Sequence, residues 1–351
     1  MQHFSNKIIR WYDSNKRDLP WRNTKDPYFI WLSEIIMQQT RVDQGMAYYN
    51  KFASEFPTVK HLAKADNEKV MKLWQGLGYY SRARNLHETA KIISSQYKGK
   101  FPASYQEILA LKGIGDYTAA AISSFAFDLP HAVVDGNVYR VLSRVFGIHT
   151  PIDSSAGKKE FSVLANELIS KKDPASHNQA VMELGALQCK PQNPECSTCV
   201  LNSMCFAYSK KSVDQFPVKS KKTKVRDRFF NYAVLRHNGK IAINKRTEKD
   251  IWTNLYDFPL IETPTNFTED ELFSSAEWKG LMGKNKFQIR SVHEGFKHIL
   301  SHQKIYARFV EVDFISSFKD QLSDTSIMVS EKDLKKYAVP RLIDLFLEKI
   351  S

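Results

Sequence analysis

Apolar residues recur with a helical period along the N-terminal part of the chain. Between residues 11 and 206 they fall at spacings of three and four, and short polar turns separate the periodic runs. One predicted helix follows Asp26, which is a favoured N-cap residue and precedes a proline suited to the first helical position. A second is predicted over residues 136–146, with Asp135 as its N-cap and Gly147 as its C-terminal stop. The pattern predicts an all-α domain.

The pattern changes after residue 208. Residues 209–228 carry eight basic side chains against two acidic ones, a composition typical of an interdomain linker. Beyond it apolar residues alternate with polar ones, and Asn238-Gly239 between two such runs is a strong hairpin signal. A further extended stretch at 303–314 and a helical pattern at 342–350 indicate a small mixed domain. We therefore predict a multidomain chain with an all-α domain, a basic linker and a C-terminal α+β domain, at residues 1–208, 209–228 and 229–351.

Composition and charge narrow the class of protein. The 351 residues include 51 Lys and Arg against 38 Asp and Glu, a net charge of +13, which favours a polyanionic partner such as nucleic acid or an anionic membrane surface. Apolar residues make up 42% of the chain and charged residues 25%, which excludes a disordered or fibrous protein. No run approaches the roughly 18 apolar residues of a membrane span, and the first residues lack the apolar core of a signal peptide. We expect a soluble, cytoplasmic protein without a membrane partner.

All four cysteines of the chain lie close together, with the spacing Cys189-x6-Cys196-x2-Cys199-x5-Cys205. In a reducing compartment such clustering indicates a metal centre rather than disulfides. A [4Fe-4S] cluster is favoured, because zinc sites usually use two C-x2-C pairs or include His, and this segment holds one pair and no His. Structural zinc and unligated thiols stay open as alternatives. The spacing resembles that of the endonuclease III and MutY group of DNA glycosylases, and a cluster that uses every Cys is expected to be structural or DNA-facing.

A tight turn with two glycines separates two predicted helices within residues 107–127. Gly113 and Gly115 bracket one apolar residue, and such a turn presents backbone N–H groups at a helix N-terminus, where phosphate can bind. Taken alone, the turn is more simply an ordinary connection between helices. Asp135 follows twenty residues after Gly115, and this pairing resembles the helix-hairpin-helix glycosylase superfamily, whose catalytic Asp lies one helix beyond the hairpin. The resemblance makes Asp135 catalytic as well as an N-cap, and Lys112, where the family usually has Pro, adds a positive charge beside the DNA phosphates.

The segment at residues 31–40, which begins inside the helix predicted after Asp26, contains an acid, Glu34, within an apolar run. Most helical Glu residues face solvent, but this one should face the interior, where desolvation raises a carboxyl pKa. Glu34 is therefore a candidate proton donor, whereas Asp135 at a helix N-terminus should stay ionised. Two carboxyls in opposed environments suit the cleavage of a glycosidic bond.

The same segment closely resembles the MutY adenine DNA glycosylases, as do residues 18–22. The resemblance implies an adenine pocket in which Gln179 reads the edge of the base. It assigns the pocket and the adjoining DNA contacts to two groups of residues: Trp21, Arg22, Met37 and Gln179 for adenine, and Gln38, Gln39 and Thr40 for DNA.

Position 117 separates two classes within this superfamily. Members that also cleave the strand place a Lys there to form a Schiff base, whereas this chain has Tyr117, which cannot form an imine. The resemblance therefore implies a monofunctional, hydrolytic enzyme in which Tyr117 and Asn137 position the sugar and the carboxylates. Two alternatives stay open: a bifunctional pyrimidine glycosylase and AP lyase of the endonuclease III type, and a non-catalytic damage-binding protein.

Two further segments resemble the parts of MutY enzymes that read the base opposite adenine. Leu77 and Tyr79 match the wedge that enters the base stack around the mispair. Leu300, Ser301 and His302 match the loop that senses 8-oxoguanine, with Leu300 in place of the usual Phe. The C-terminal domain resembles a Nudix fold without the Glu-rich metal-binding box, so it should bind and not hydrolyse.

The resemblance covers about residues 5–345 and implies a base excision repair enzyme. Its expected substrate is double-stranded DNA in which adenine lies opposite 8-oxoguanine or guanine. Within the helical domain we expect a six-helix module at about 28–135 and an iron-sulfur module formed by residues 1–27 and 136–208. We also expect a monomer that acts at the nucleoid, with Cys189, Cys196, Cys199 and Cys205 as ligands of a [4Fe-4S] cluster.

Overall fold

The chain divides into two units, which are seen in a computed structural model. The structure describes residues 2–220, 225–316, 318 and 322–350. One unit combines residues 1–64 with 85–222, and the other combines residues 65–84 with 223–351. No helix in these described ranges is long and apolar enough to cross a membrane.

The N-terminal part is helical, which confirms the prediction from its apolar pattern. In chain order its helices are α1 (Gln2–Asn15), α2 (Pro27–Met37), α3 (Val42–Glu55), α4 (Val59–Lys64), α5 (Asn67–Trp74), α6 (Ser81–Gln96), α7 (Tyr105–Leu109), α8 (Asp116–Phe127), α9 (Gly136–Phe146), α10 (Ser155–Leu168), α11 (Pro174–Leu187) and α12 (Phe206–Ser209). Of these, α5 belongs to the second unit. Short 3-10 turns lie at Pro20–Arg22, Asn202–Met204 and Val213–Gln215.

The helices α2 and α9 begin at their predicted capping residues. Asp26 caps α2, since its carboxylate accepts a hydrogen bond from the N–H of Tyr28 at 2.8 Å. The side chains of α2 are buried from residue 30 to residue 36, because the helix packs against both α3 and α8. Asp135 caps α9 in the same way, and Gly147, with φ of 68°, ends it. Both predicted helices are confirmed.

The turn between α7 and α8 requires glycine at one position. Gly113 has φ of 77°, a left-handed conformation, and a Cβ built there would lie 2.6 Å from the Cβ of Asn85. The hydroxyl of Thr89 on α6 donates a hydrogen bond to the carbonyl of Lys112 at 2.6 Å, which fixes the turn against that helix. Gly115 then serves as the N-cap of α8. The predicted hairpin is therefore present and rigidly supported.

The second unit contains a mixed sheet. Its strands are β1 (Arg226–His237), β2 (Lys240–Lys245), β3 (Tyr256–Asp257), β4 (Leu260–Thr263), β5 (Phe287–Ile299), β6 (Gln303–Phe314) and β7 (Ser326–Ser330). They run in the order β3-β2-β1-β6-β5, with β4 beside β1 and β7 beside β2. β1 and β6 are parallel, and the other pairs are antiparallel. Asn238 and Gly239 both have positive φ, so the predicted hairpin between β1 and β2 is confirmed.

Helices cover both faces of this sheet. They are α13 (Glu269–Ser274), α14 (Ala276–Met282) and α15 (Arg341–Ile350), and a 3-10 helix spans Glu331–Lys336. On one face Phe346 of α15 stacks on Phe309 of β6 with ring centroids 4.2 Å apart. On the other face Trp278 of α14 packs in a cluster with Leu235 and Val312. The unit is therefore α+β, as predicted, and the turn between β5 and β6 presents residues 300–302 at its surface.

Much of the stretch predicted as a linker, residues 209–228, is built into neighbouring structure. The carbonyl of Val218 accepts a hydrogen bond from the N–H of Ile152 at 3.0 Å. Arg228 lies in β1, where it pairs with the carboxylates of Glu262 and Asp250. Its positive charge is therefore already compensated within the protein. Lys221, Lys222 and Lys224 lie outside the described residues, and the bounds of the linker stay a prediction.

Candidate active site

The first acid of the candidate site is Glu34, on the buried face of α2. Its side chain is 9% exposed and accepts a hydrogen bond from the hydroxyl of Tyr117 at the start of α8. The pKa of Glu34 is raised to about 7, mainly by burial and also by the nearby charge of Asp135, while the Tyr117 hydrogen bond and Arg22 act in the opposite direction. Glu34 can therefore hold a proton near neutral pH, as its place in an apolar run suggests.

The second acid, Asp135, has a different set of partners. Its Oδ1 accepts hydrogen bonds from the N–H groups of Asn137 and Val138 at 2.9 and 2.8 Å, and its Oδ2 accepts one from the side-chain amide of Asn137 at 2.8 Å. Burial raises the pKa of Asp135, and these donors together with Arg140 oppose that rise. The expectation that Asp135 stays ionised thus depends on the donors, because its burial favours the neutral acid.

Tyr117 connects the two acids. Burial and the charges of Glu34 and Asp135 raise the pKa of Tyr117 far above its ordinary value, so the phenol keeps its proton. Asn137 is held in turn by Arg140, whose Nη2 donates to its Oδ1 at 2.8 Å. The structure therefore brings together the four residues predicted to be catalytic, from α2, α8 and α9. The arrangement combines a buried proton donor with a carboxylate whose charge is stabilised by N–H groups.

Of the residues predicted to bind adenine, Arg22 and Met37 lie near Glu34. Arg22 donates from Nε to the Oε1 of Gln179 at 3.0 Å, so these two side chains lie side by side. Trp21 is buried and meets the ring of Tyr49 edge to face at 5.0 Å between centroids. Met37 ends α2, one turn beyond Glu34 on the same face of the helix. Gln179 lies inside α11.

Sequence reasoning missed Glu183, which organises this pocket. Glu183 is 1% exposed and accepts hydrogen bonds from the Nη1 and Nη2 of Arg22 at 3.0 and 2.8 Å, and from Arg17 through Nε, Nη2 and the backbone N–H. Burial by itself would raise the pKa of Glu183, but the two Arg side chains lower it to about 2. A sequence signal did exist, because Glu183 stands four residues after Gln179 and so shares its helix face.

The predicted DNA contacts of the first unit are accessible. Lys112, Gly113 and Gly115 are exposed at the hairpin. After α2, Gln39 is exposed with φ of 55°, and the side-chain amide of Gln38 donates to the hydroxyl of Thr118 at 3.3 Å. Thr40 is half-buried, and its hydroxyl donates to the carbonyl of Gln38 at 3.3 Å.

The predicted wedge and the predicted sensing loop lie together in the second unit. The hydroxyls of Tyr79 and Ser301 are 3.2 Å apart, within hydrogen-bond distance. Tyr79 is 41% exposed, whereas Leu77 is buried at 6%. Insertion of Leu77 into a base stack would therefore require the loop to move. Leu300 is half-buried, and Ser301 and His302 are exposed.

All four cysteines line one cavity between α9 and α11, whose other walls are mostly apolar. Among the residues that the structure describes, no three His, Cys, Asp or Glu side chains converge on a point where one metal ion could sit. Four thiols around one space form a set of donors that could hold a metal centre. Arg144 is buried beside them, and its Nη1 donates to the sulfur of Cys189 at 3.3 Å.

Two family models match separate parts of the chain. Residues 32–167 match the HhH-GPD superfamily of base excision DNA repair proteins. Residues 231–349 match the NUDIX domain. The first range includes Glu34, Tyr117 and Asp135.

Curated relatives match almost the whole chain. The adenine DNA glycosylase of Buchnera aphidicola subsp. Schizaphis graminum is 34% identical, and the alignment covers 98% of each chain. The adenine DNA glycosylase of Arabidopsis thaliana is 38% identical over 91% of this chain and 59% of its own. Among solved structures, a thermostable thymine-DNA glycosylase is 30% identical with a TM-score of 0.56, and covers 60% of this chain and 96% of its own. An endonuclease III–DNA complex, 20% identical with a TM-score of 0.51, shares the fold.

Proposed function

Because the chain belongs to the adenine DNA glycosylase family, we propose that it hydrolyses the N-glycosidic bond of adenine that lies opposite 8-oxoguanine or guanine in duplex DNA. The observation that carries this proposal is the pair of carboxyls in opposed environments. Glu34 is buried beside the hydroxyl of Tyr117 and has a pKa of about 7, whereas Asp135 accepts three N–H hydrogen bonds. This is the asymmetry that acid-assisted loss of a base requires.

In the proposed reaction the target adenine leaves the duplex and enters the pocket beside Arg22 and Gln179. Glu34 donates its proton to N7 of adenine, so that the base departs as a neutral molecule when the C1′–N9 bond breaks. The positive charge that develops on the sugar is stabilised by the carboxylate of Asp135. Water then adds to C1′ and loses a proton, which leaves an abasic site. Tyr117 keeps Glu34 oriented throughout, and Asn137 keeps Asp135 oriented.

We propose that the enzyme is monofunctional. Formation of a Schiff base at C1′ requires an amine, and Tyr117 offers only a phenol whose proton is held far above neutral pH. A bifunctional enzyme of the endonuclease III type would leave a covalent adduct with DNA after borohydride treatment. Absence of such an adduct, together with base release, is the expected result.

Selection of adenine for removal must depend on its partner, because adenine is a normal base. Tyr79 and Ser301 meet at the surface of the second unit, and His302 is exposed beside them. We propose that these residues contact the opposite base, with Leu300 in place of an aromatic side chain. The Nudix-like domain then acts in recognition rather than hydrolysis.

We propose that Cys189, Cys196, Cys199 and Cys205 hold a [4Fe-4S] cluster. Their common cavity, whose other walls are mostly apolar, supports this assignment. When bound, the cluster would tie residues 189–205 to α9 and α11 and could exchange an electron. The hydrogen bond from Arg144 to Cys189 would stabilise the thiolate form that iron requires.

The experiment that tests the proposal measures base release from duplexes that carry adenine opposite 8-oxoguanine, guanine, cytosine or thymine. Free adenine should appear from the first two duplexes, and strand breaks only after alkali. Tight binding without any release would favour the alternative of a damage-binding protein, and strand breaks before alkali would favour a lyase. Monomeric action at nucleoid DNA stays a prediction.

A further inference from the structure

A cleft lies on the first unit beside the candidate active site, between α10 and the start of α8. It has a volume of about 400 Å³, within the rough range of ligand sites, and nothing in the proposed reaction uses it. Its walls include Tyr105 of α7, His131, and two adjacent lysines of α10, Lys158 and Lys159. We call it the α10 cleft.

The α10 cleft shares residues with the active site. Tyr117 lines the cleft, and its hydroxyl donates to Glu34. Val134 also lines the cleft and immediately precedes Asp135. A polymeric ligand with one unit bound at Glu34 and Asp135 would therefore place the next unit of the same strand in the α10 cleft.

The lysines of the α10 cleft carry uncompensated charge. Lys158 and Lys159 are both exposed, and neither forms an ion pair within the described part of the chain. Asp116, which also lines the cleft, accepts a hydrogen bond from the hydroxyl of Tyr105 at 3.3 Å. Two neighbouring cations at a rim suit an anionic ligand with repeated charges.

A pair of aromatic rings, called the ledge, lines the same cleft. The rings of Tyr105 and His131 are stacked, with centroids 4.3 Å apart and planes 18° apart. Burial lowers the pKa of His131, so the imidazole is neutral at pH 7 and adds a flat, uncharged surface. The carbonyl of His131 accepts a hydrogen bond from Asn178 at 2.9 Å, which holds the ledge in place.

We propose that the α10 cleft binds the target DNA strand next to the extruded adenosine, with Lys158 and Lys159 on backbone phosphates and the Tyr105–His131 ledge against the adjoining sugar or base. A nucleic acid is the ligand that matches both features, because its phosphates can bind the cations and its bases can stack on the aromatic surface. Continuity with Tyr117 and Val134 selects the strand that carries the reacting nucleotide. The inference rests on the proposed function, because it assigns a further subsite for the same substrate.

The first test measures how DNA affinity depends on salt. The probe is a duplex with 2′-fluoro-2′-deoxyadenosine, which resists cleavage, opposite 8-oxoguanine, and the full chain is compared with Lys158→Ala/Lys159→Ala. Each phosphate contact contributes roughly 0.9 to the slope of log Kd against log salt, so the double variant should lose about 1 to 2 in slope. The matched control, Lys171→Ala/Lys172→Ala, removes the same charge from exposed positions just beyond α10 and should keep the wild-type slope. Equal slopes for both double variants would overturn the proposal.

The second test locates the contact on the DNA. Single uncharged methylphosphonates replace the phosphates around the 2′-fluoroadenosine in turn. At one or two adjacent positions the wild-type chain should lose affinity while Lys158→Ala/Lys159→Ala does not. If the lysines instead bind an acidic protein, no position will distinguish the two chains, and the proposal fails.

The ledge is tested separately. Tyr105→Leu removes the stacking ring and should weaken binding roughly fivefold or more without a change in the salt slope, because stacking is not ionic. Tyr105→Phe keeps the ring and should bind as the wild type. Wild-type affinity of Tyr105→Leu would remove the ledge from the proposal. Failure of the proposed function would appear separately, as no release of adenine from the wild-type chain itself.

Discussion

Glu34 and Asp135 carry the same functional group, and their surroundings give it opposite properties. Glu34 projects from the middle of a helix, where the backbone N–H groups are already hydrogen-bonded. The hydroxyl of Tyr117 therefore replaces water as its hydrogen-bond donor. Asp135 projects at a helix start, where N–H groups are unbonded, so it gains three donors. Position within a helix thus separates a proton donor from an anion.

Substitution of Glu34 by Gln should stop base release and preserve binding. Gln keeps the size of the side chain but cannot donate a proton to adenine, and loss of a general acid typically costs about 10²–10⁴ in rate. The measurement is single-turnover adenine release together with Kd for the same duplex. Glu167→Gln, at an exposed position of α10, is the control and should leave both unchanged. A wild-type rate in Glu34→Gln would remove the proton donor from the mechanism.

The pKa of Glu34 also predicts how stability changes with pH. The folded chain holds the proton up to about pH 7, whereas the unfolded chain releases it near 4.5. The folded state is therefore penalised progressively as pH rises from 4.5 to 7, by about 3 kcal/mol at the upper end. Gln carries no such penalty. In urea unfolding, the free energy of unfolding of Glu34→Gln should therefore rise relative to that of the wild type by about 3 kcal/mol between pH 4.5 and pH 8. Base release by the wild type should fall above pH 7, and a flat difference in stability would contradict the raised pKa.

Glu183 is expected to be essential for the pocket although it is not one of the proposed reacting groups. Glu183→Gln leaves the guanidinium groups of Arg17 and Arg22 without their carboxylate, and breaking a buried pair costs about 3–5 kcal/mol. Arg22 would also lose the partner that orients it toward Gln179, so adenine release should slow. Urea unfolding and single-turnover release measure the two effects. Asp128→Asn, which breaks an exposed pair with Lys25, is the control and should cost less than about 1 kcal/mol.

At the scale of elements, the hairpin between α7 and α8 depends on the conformation of one glycine. Gly113 has positive φ and lies against Asn85, whereas Gly115 has φ of −102° and open space around its Cα. The two glycines look alike in the sequence. Their requirements differ because only Gly113 lies where the chain reverses against α6.

Substitution of Gly113 by Ala should therefore strain the hairpin, while Gly115→Ala should not. The left-handed φ and the clash with Asn85 together predict a loss of about 1–3 kcal/mol in the free energy of unfolding for Gly113→Ala. Thermal or urea unfolding of the two variants tests this difference. Equal stability of the two variants would contradict the predicted strain at Gly113.

At the scale of the whole molecule, residues 65–84 belong with the C-terminal part of the chain although they come from the helical part. Glu68 and Lys72 of α5 and Gln75, the C-cap of this helix, follow one another at spacings of four and three. Glu68 accepts from the hydroxyl of Tyr256 at 2.6 Å and from Lys245, Lys72 donates to the carbonyl of Tyr337, and Gln75 donates to Asp344. The predicted wedge thus follows a helix that the C-terminal part holds.

Removal of residues from about 222 onward should release this segment. Amide hydrogen exchange within residues 65–84 is expected to rise at least tenfold, because its side-chain partners are lost, while exchange in α8 and α9 stays near that of the full chain. The ratio of the rate of adenine release opposite 8-oxoguanine to the rate opposite guanine should fall, because the first rate should decrease by the larger factor. Unchanged exchange in residues 65–84 would mean that the wedge is positioned without the C-terminal part.

The sequence determined the elements because their signals are local. Helix period, the caps at Asp26 and Asp135, and the Asn238-Gly239 turn are set by a few neighbouring residues, and the structure confirms each. The two acids were also recognisable, since an acid in an apolar run and an acid at a helix start have distinct environments. Family resemblance supplied the roles, which position and period alone do not give.

Only the tertiary structure decided which distant residues meet. Glu183 becomes an anchor because α11 brings it against Arg17 and Arg22, which precede it by more than 160 positions. α5 joins the second unit through side chains whose partners lie far along the chain. Leu77 is buried and Arg228 is neutralised by contacts that no local pattern encodes. The physical reason is that burial and pairing depend on the three-dimensional neighbours of a side chain, and packing selects these from the entire chain.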